Sequence, residues 1–214
     1  YQKAREGYVD VLSQRITGCS FSFGENLQYC AYLSVKHRDA VNLPESRILE
    51  ILNMLDKKGM PRLVAQNASF EMTLTKTNFD KEFQEPIYDT RVMASYFNEN
   101  GPDGLKHMSK AYLNYDQTSY NDVVKPGEDM RDVSLAEVMD YGCDDSICTG
   151  HLFVLMRLVM ECEQTWNFYK DNEPYFDKEM VKSFVKGVSI DFDELHRQAD
   201  EDSTTRYKTM KVLR

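Results

Sequence analysis

The chain has 214 residues, 42% hydrophobic and 12% aromatic, with 26 Lys and Arg against 35 Asp and Glu, a net charge of −9. That length supports one sizeable core with an appendage or two small domains, and the acidic balance excludes a protein that coats duplex nucleic acid through a broad basic face. No run of about 18 apolar residues and no apolar signal-peptide core occurs, and the five cysteines (19, 30, 143, 148 and 162) form no C-x-x-C pair, so reduced thiols, a cytoplasmic protein and no membrane partner are expected.

Residues 1–14 read as loop. Residues 16–23 (ITGCSFSF) alternate apolar and polar positions as a half-buried strand does, Gly24-Glu25-Asn26 is a turn signal, and residues 27–35 form a second strand, which together predict a hairpin. Residues 45–58 follow Pro44 with apolar positions at helical spacing, and Gly59 stops them. Residues 62–65 read as a short buried strand, 69–79 as a helix and 86–88 as another short strand; Asp89 then caps a helix over 90–97, and 104–113 is a further helix. Residues 114–132 are polar and read as a long loop. Ser134 and Glu137 make a capping box, so a helix starts there, passes Asp145 and continues to about Tyr169, with Gly142 and Gly150 as points where it bends or breaks. Residues 171–174 read as a boundary, 175–186 as a helix stopped by Gly187, and Asp191 with Glu194 caps a last, very polar helix. Strands first, then strand–helix alternation, predict an α/β fold with a mixed sheet covered by helices.

Metal-assisted phosphodiester hydrolysis needs several carboxylates converging on a point, where two divalent cations roughly 3.5–4 Å apart activate water and stabilise the leaving oxygen. Such hard cations take oxygen ligands, and cations bound at such a pocket offset its acidity locally, so a net charge of −9 does not exclude this chemistry. Tyr141 and Asp145 are four apart and share a helix face, with a phenol one turn from a carboxylate; Asp140 and Asp144 fall towards the solvated side. By periodicity alone, such a pair is most often a solvated or half-buried one. The four histidines match no metal-ligand spacing, and neither a Gly-rich phosphate loop nor a Gly-x-Ser-x-Gly elbow occurs.

In combination, four segments carry a resemblance. SLAEVMDYGCDDSICTGHLF (134–153) resembles the third motif, Tyr-x-x-x-Asp, of the DEDD exonucleases as it occurs in family A DNA polymerases; LVAQNASFEM (63–72) resembles the second; IYDTRVMASYF (87–97) and GLKHMSKAYL (104–113) resemble the segments between them. Order and spacing agree over roughly residues 15–170, and EMVKSFVKGVSIDFDEL (179–195) resembles the junction with a polymerase thumb. The resemblance implies an RNase H-like mixed sheet flanked by helices, with an exonuclease domain over 1–172 and the start of a helical thumb segment over 173–214. It implies proofreading removal of 3′-terminal nucleotides by a DEDDy exonuclease with two Mg²⁺ or Mn²⁺ ions, acting on the single-stranded 3′ end of a DNA primer, with the thumb, palm and fingers in cis. A tailed-bacteriophage replicative polymerase is the source it suggests.

On the same resemblance, Asp145 and Glu71 are metal ligands, Tyr141 orients the attacking water, Asn67 contacts the terminal nucleotide and Phe70 packs beside it. Glu71 stands where the family usually has Asp, which moves the carboxylate by about one methylene. Tyr120 sits where family members place an aromatic residue against the frayed strand. Lys106 and Lys110 are in reach of phosphates or are solvated helix lysines, and Asp89 is a structural cap rather than a ligand. The family's first motif, Asp-x-Glu on the first strand, has no counterpart: Asp10 in Val9-Asp10-Val11 lacks the partner Glu. The favoured expectation is that this strand precedes Tyr1; the alternatives are a strand from another segment or a catalytically degenerate domain with a structural role. A ribonuclease of the RNase D type shares the motifs, and the thumb-like tail argues against it.

Overall fold

The computed structural model describes residues 10–212; most of the loop predicted for 1–14 lies outside them. Asp10 caps a short 3-10 turn, Val11–Ser13, accepting from the Leu12 N–H at 3.2 Å. Strand β1 (Gly18–Phe23) pairs antiparallel with β2 (Tyr29–Ser34), in register from Gly18↔Ser34 to Phe23↔Tyr29, as the hairpin pattern predicts. Both faces of the hairpin are covered. Cys19, Phe21 and Leu33 pack on the main core, whereas Ser20 and Tyr32 meet Gly142 and Ser22 donates to the Ser146 carbonyl at 2.9 Å. The period-2 alternation thus separates an apolar face from a face of mostly small polar groups that lets a helix come close.

Helix α1 (Glu45–Leu55) buries Ile48 and Leu52. Strand β3 (Val64–Ala65), helix α2 (Ala68–Phe79) and strand β4 (Tyr88–Asp89) follow, and β3 pairs with β4 in parallel. Helices α3 (Thr90–Phe97) and α4 (Leu105–Leu113) complete this half. The α/β class and the flanking helices are as predicted. Among the described residues, however, the strands form two two-stranded sheets, one antiparallel and one parallel, rather than one continuous mixed sheet. Local periodicity reports strands and leaves open which edges join.

Three local expectations need correction. The predicted loop at 114–132 contains a four-residue helix, α5 (Tyr120–Val123), so Tyr120 is helical; Ser119 and Asp122 form the reciprocal capping box that starts it. Helix α6 (Leu135–Cys162) is one 28-residue element that neither of its glycines breaks. They provide room instead: a Cβ on Gly150 would lie 2.3 Å from Leu27 Cδ1, and one on Gly142 would lie 3.2 Å from the Tyr32 ring. The stop comes at Glu163, where Gln164 takes φ 62 and the Thr165 and Gln164 N–H groups donate to the carbonyls of Met160 and Glu161. This is a Schellman turn with glutamine in the left-handed position that glycine usually fills, which hides it from composition. Helix α7 (Trp166–Lys186) then runs straight through 171–174, with Pro174 buried inside it, so the predicted boundary there is not a break between elements. Gly187, at φ 70, ends α7 as predicted, and Asp191 accepts from the Glu194 N–H at the start of the exposed helix α8 (Phe192–Val212).

The main core joins Ile16, Val35, Ile48, Leu52, Ala68, Met72, Phe83, Ile87 and Val181, so α7 closes over α2. A second core sets α6 (Leu152, Met156, Met160) against Met93, Ala94 and Met108, with Trp166 and Tyr169 of α7. Burial of each large apolar side chain here contributes roughly 1.5–3 kcal/mol. Packed on the hairpin on one side and on α3 and α4 on the other, α6 is the element on which the site is built. No helix among the described residues is long and apolar enough to cross a membrane.

Candidate active site

The i, i+4 spacing holds in the structure, and Tyr141 and Asp145 lie together on α6. Their face is met by α4, whose Met108 is buried against Leu152 and Met156, so that Lys106 in the first turn of α4 reaches across. The Lys106 ammonium donates to Asp145 Oδ1 at 2.5 Å and lies 4.4 Å from the centroid of the Tyr141 ring. Asn114 ends α4 in the left-handed conformation and turns the chain back. That return delivers Gln117, whose Nε2 donates to the same Asp145 Oδ1 at 2.9 Å and lies 3.4 Å from Asp144 Oδ2. Burial raises the Asp145 carboxyl above the usual carboxylate range, opposed by the Lys106 ammonium and by a hydrogen bond from Tyr141. Sequence reasoning missed Gln117: a glutamine in a polar loop carries no spacing signal. Its Oε1 is buried without a partner.

Glu71 occupies the first turn of α2. The residue is half-buried, but its carboxyl end points inward and Oε2 is covered without a hydrogen-bond partner. Burial, reinforced by the nearby charge of Asp89, pushes this carboxyl up to about 8. Cys19 of β1 is close enough to feel it: burial pushes the thiol up to about 11, with the Glu71 charge adding to the shift. Asp89 is the structural cap that the sequence predicts. It accepts from the backbone N–H groups of Asn67, Ala68 and Arg91, each at 2.8 Å, and so pins the starts of both α2 and α3. The Tyr169 hydroxyl, exchanging hydrogen bonds with the Asp89 backbone, ties the same point to α7. Asn67 takes φ 68, ψ 56 and its side chain does not cap α2. Asparagine tolerates this left-handed conformation better than most residues. Phe70 is half-buried in the first turn of the same helix.

The recorded contacts thus bring together Tyr141, Asp145, Lys106 and Gln117, whereas Asn67, Phe70 and Glu71 form a second set at the start of α2. Tyr120 packs with Val124, Val133 and Val138 in a small satellite core, a position that ordinary packing accounts for. Lys110 is exposed and pairs with Asp116 at 2.8 Å. Asp140 is exposed as predicted; Asp144 is half-buried and receives the Cys148 thiol at 3.9 Å.

Mg²⁺ or Mn²⁺ would find donors of the right kind here. Asp145 already holds a cation, the Lys106 ammonium, whereas Glu71, whose buried oxygen has no partner, stands on α2 among other neighbours, with Asp89 as the charge that acts on it. Number is the shortfall: among the described residues, no three His, Cys, Asp or Glu side chains gather where they could hold a metal ion. Mg²⁺ is commonly held by one or two carboxylates with water and phosphate oxygens completing its shell, so the Asp145 carboxylate by itself fits a cation that shares its coordination with substrate.

Comparison with known proteins agrees with the fold and with the family resemblance. DNA polymerase I of Borreliella burgdorferi is 22% identical over 183 residues, which cover 86% of this chain; the chain spans about a fifth of that relative's length. Two structures of Brucella melitensis NrnC superpose with TM-scores of 0.56 (with bound Mg²⁺, 13% identical) and 0.54 (bound to pGG, 14% identical). Each covers 76% of this chain, and the superposed parts make up 75% and 74% of the NrnC chains. At those identities the likeness shows the fold alone, RNase H-like as the motifs imply. The relative is bacterial, and these comparisons give no support to a phage source. A profile of the 3′-5′ exonuclease family DNA_pol_A_exo1 matches residues 8–161, and the chain belongs to that family, as an exonuclease domain of the family A DNA polymerase type.

Proposed function

We propose that the longer protein to which this domain belongs removes 3′-terminal nucleotides from DNA, proofreading the primer strand of a family A polymerase. The observation that carries this reading is the Tyr141–Asp145 face of α6, closed by Lys106 and Gln117, in a chain matched over residues 8–161 by the exonuclease family. On this reading Asp145 and Glu71 are the carboxylates that this part of the chain lends to Mg²⁺ or Mn²⁺, which when bound would activate a water and neutralise the scissile phosphate. Tyr141 orients that water; a phenol, with its usual pKa near 10, is better suited to hydrogen bonding than to taking its proton. Asn67 and Phe70, both half-buried at the start of α2, meet the terminal nucleotide, and Lys106 is within reach of its phosphate. Tyr120 is set aside from this group because the satellite core already accounts for it. On this reading the passage towards a polymerase thumb lies nearer Gly187 than residue 173, which the packing of Val181 of α7 in the main core supports.

The test is 3′ trimming of a mismatched DNA primer by the longer protein with Mg²⁺. Asp145→Ala is expected to slow trimming about a hundredfold or more, or ~2.7 kcal/mol of barrier; unchanged trimming would remove Asp145 from the reaction. An RNA primer run alongside separates a ribonuclease of the RNase D type, for which RNA would be trimmed faster. A second reading, a degenerate exonuclease fold kept for structure, is favoured by one observation: no three metal-ligating side chains gather among the described residues. It predicts no trimming of either primer by the unmodified protein.

A further inference from the structure

Lys106 stands in an unusual relation to the Tyr141–Asp145 pair: it touches both. Its ammonium is hydrogen-bonded to Asp145 Oδ1 at 2.5 Å and lies 4.4 Å from the centre of the Tyr141 ring. The contact is half-exposed, with 30% of the lysine side chain and 28% of the aspartate side chain accessible. The other donors to this carboxylate are also side chains, Gln117 at 2.9 Å and Tyr141. No backbone N–H is recorded among them, so rotation of side chains is enough to release the oxygen. Lysine is suited to such release, as a point charge on a flexible four-carbon stem.

We infer that Lys106 is a tethered counter-ion that occupies Asp145 in the cation-free protein and competes with a divalent cation for it. This rests on the reading of Asp145 as a metal ligand. An ammonium and a divalent cation on one carboxylate oxygen repel each other, and the half-exposed setting screens that repulsion without abolishing it. Cation binding therefore requires Lys106 to turn away, and the face of the Tyr141 ring, already beside it, offers the displaced ammonium a favourable place. The lysine thus holds the carboxylate oriented until the cation arrives, and weakens the cation's hold once it has.

The probe is Mn²⁺ alone, titrated into the full chain while free Mn²⁺ is followed by electron paramagnetic resonance. Lys106→Met is expected to bind Mn²⁺ about three- to tenfold more tightly than the unmodified chain. Lys106→Gln, a second neutral variant in case the first folds poorly, should behave alike, and Lys106→Arg should stay within about twofold of the unmodified chain because it keeps the charge. In an Asp145→Asn background the gain from Lys106→Met should vanish, a coupling that a merely structural lysine would not show. Equal or weaker binding by both neutral variants, a gain that survives Asp145→Asn, or no Mn²⁺ binding by any of these proteins would overturn the inference. Its failure is separable from that of the exonuclease reading. If Asp145→Ala abolishes trimming while Lys106→Met binds no more tightly, only the competition is wrong; if Asp145→Ala still trims, the role of Asp145 is wrong.

Discussion

Two lysine–aspartate pairs in this molecule have similar lengths and opposite characters. Lys81 donates to Asp56 at 2.7 Å with both side chains almost wholly buried, and Asp56 also accepts from the backbone N–H groups of Gln84 and Glu85. Lys106 donates to Asp145 at 2.5 Å in a half-exposed cleft where the recorded partners are side chains. The first pair ties the end of α1 to the loop after α2, and its aspartate is saturated by groups that cannot move without unfolding the loop. The second holds a carboxylate with donors that can rotate away. Burial and backbone donors make an ion pair part of the fold, whereas partial exposure and side-chain donors leave it exchangeable, as the proposed cation site requires.

Removing one partner from each pair should separate them. Lys81→Met strands a buried carboxylate and is expected to destabilise the chain by about 3–5 kcal/mol, seen as a fall in Tm of roughly 10 °C or more; a Tm within a few degrees of the unmodified chain would remove the structural half of the contrast. Asp89→Ala leaves three backbone N–H groups at the starts of α2 and α3 without their acceptor, for an expected loss of about 2–4 kcal/mol by urea denaturation.

Glu71 sharpens the contrast from the acid side. Its folded carboxyl is raised to about 8 from an ordinary 4.5, so the fold favours its neutral form. Stability should be greatest where the group is protonated in both states, below about pH 4.5, and should fall as pH rises towards 8. Glu71→Gln should therefore raise Tm at pH 8 by the equivalent of about 1–3 kcal/mol and have little effect at pH 4.5; an equal effect at both pH values would refute the burial of an ionisable carboxyl there. The smallest effect belongs to Lys106→Met, which should change unfolding free energy by no more than about 1 kcal/mol.

How far the sequence foretells this depends on the range of the signal. The hairpin, the short strands and the capped starts of α3 and α6 are legible because alternation and capping act over two to five residues. The Asp89 cap is of that kind, although its reach back to Asn67 and Ala68 is not. Breaks made without their usual residue are illegible: the Schellman turn at Gln164 carries no glycine, while Gly142 and Gly150, which resemble breaks, serve a helix packed close to the hairpin. The site divides in the same way. Tyr141 and Asp145 are singled out by spacing plus family order, whereas Lys106 reads in the sequence only as a phosphate-reaching or solvated lysine, and its reach to Asp145 is a tertiary contact. Gln117 arrives only because Asn114 reverses the chain, and the division of the strands into two sheets depends on edge pairing that no local pattern encodes.

Adjacent aspartates on α6 provide the most direct test. Asp145 is held by Lys106, Gln117 and Tyr141, whereas Asp144 takes only a longer contact from Gln117, at 3.4 Å, and otherwise meets Tyr115 and Cys148 at the margin of the site. The decisive measurement is 3′ trimming of a mismatched DNA primer by the longer protein carrying Asp145→Asn or Asp144→Asn, with Tm recorded for both. The account predicts a loss of about a hundredfold or more for Asp145→Asn, activity within a few-fold of normal for Asp144→Asn, and little change in either Tm. Equal effects from the two substitutions, or normal trimming by Asp145→Asn, would contradict it.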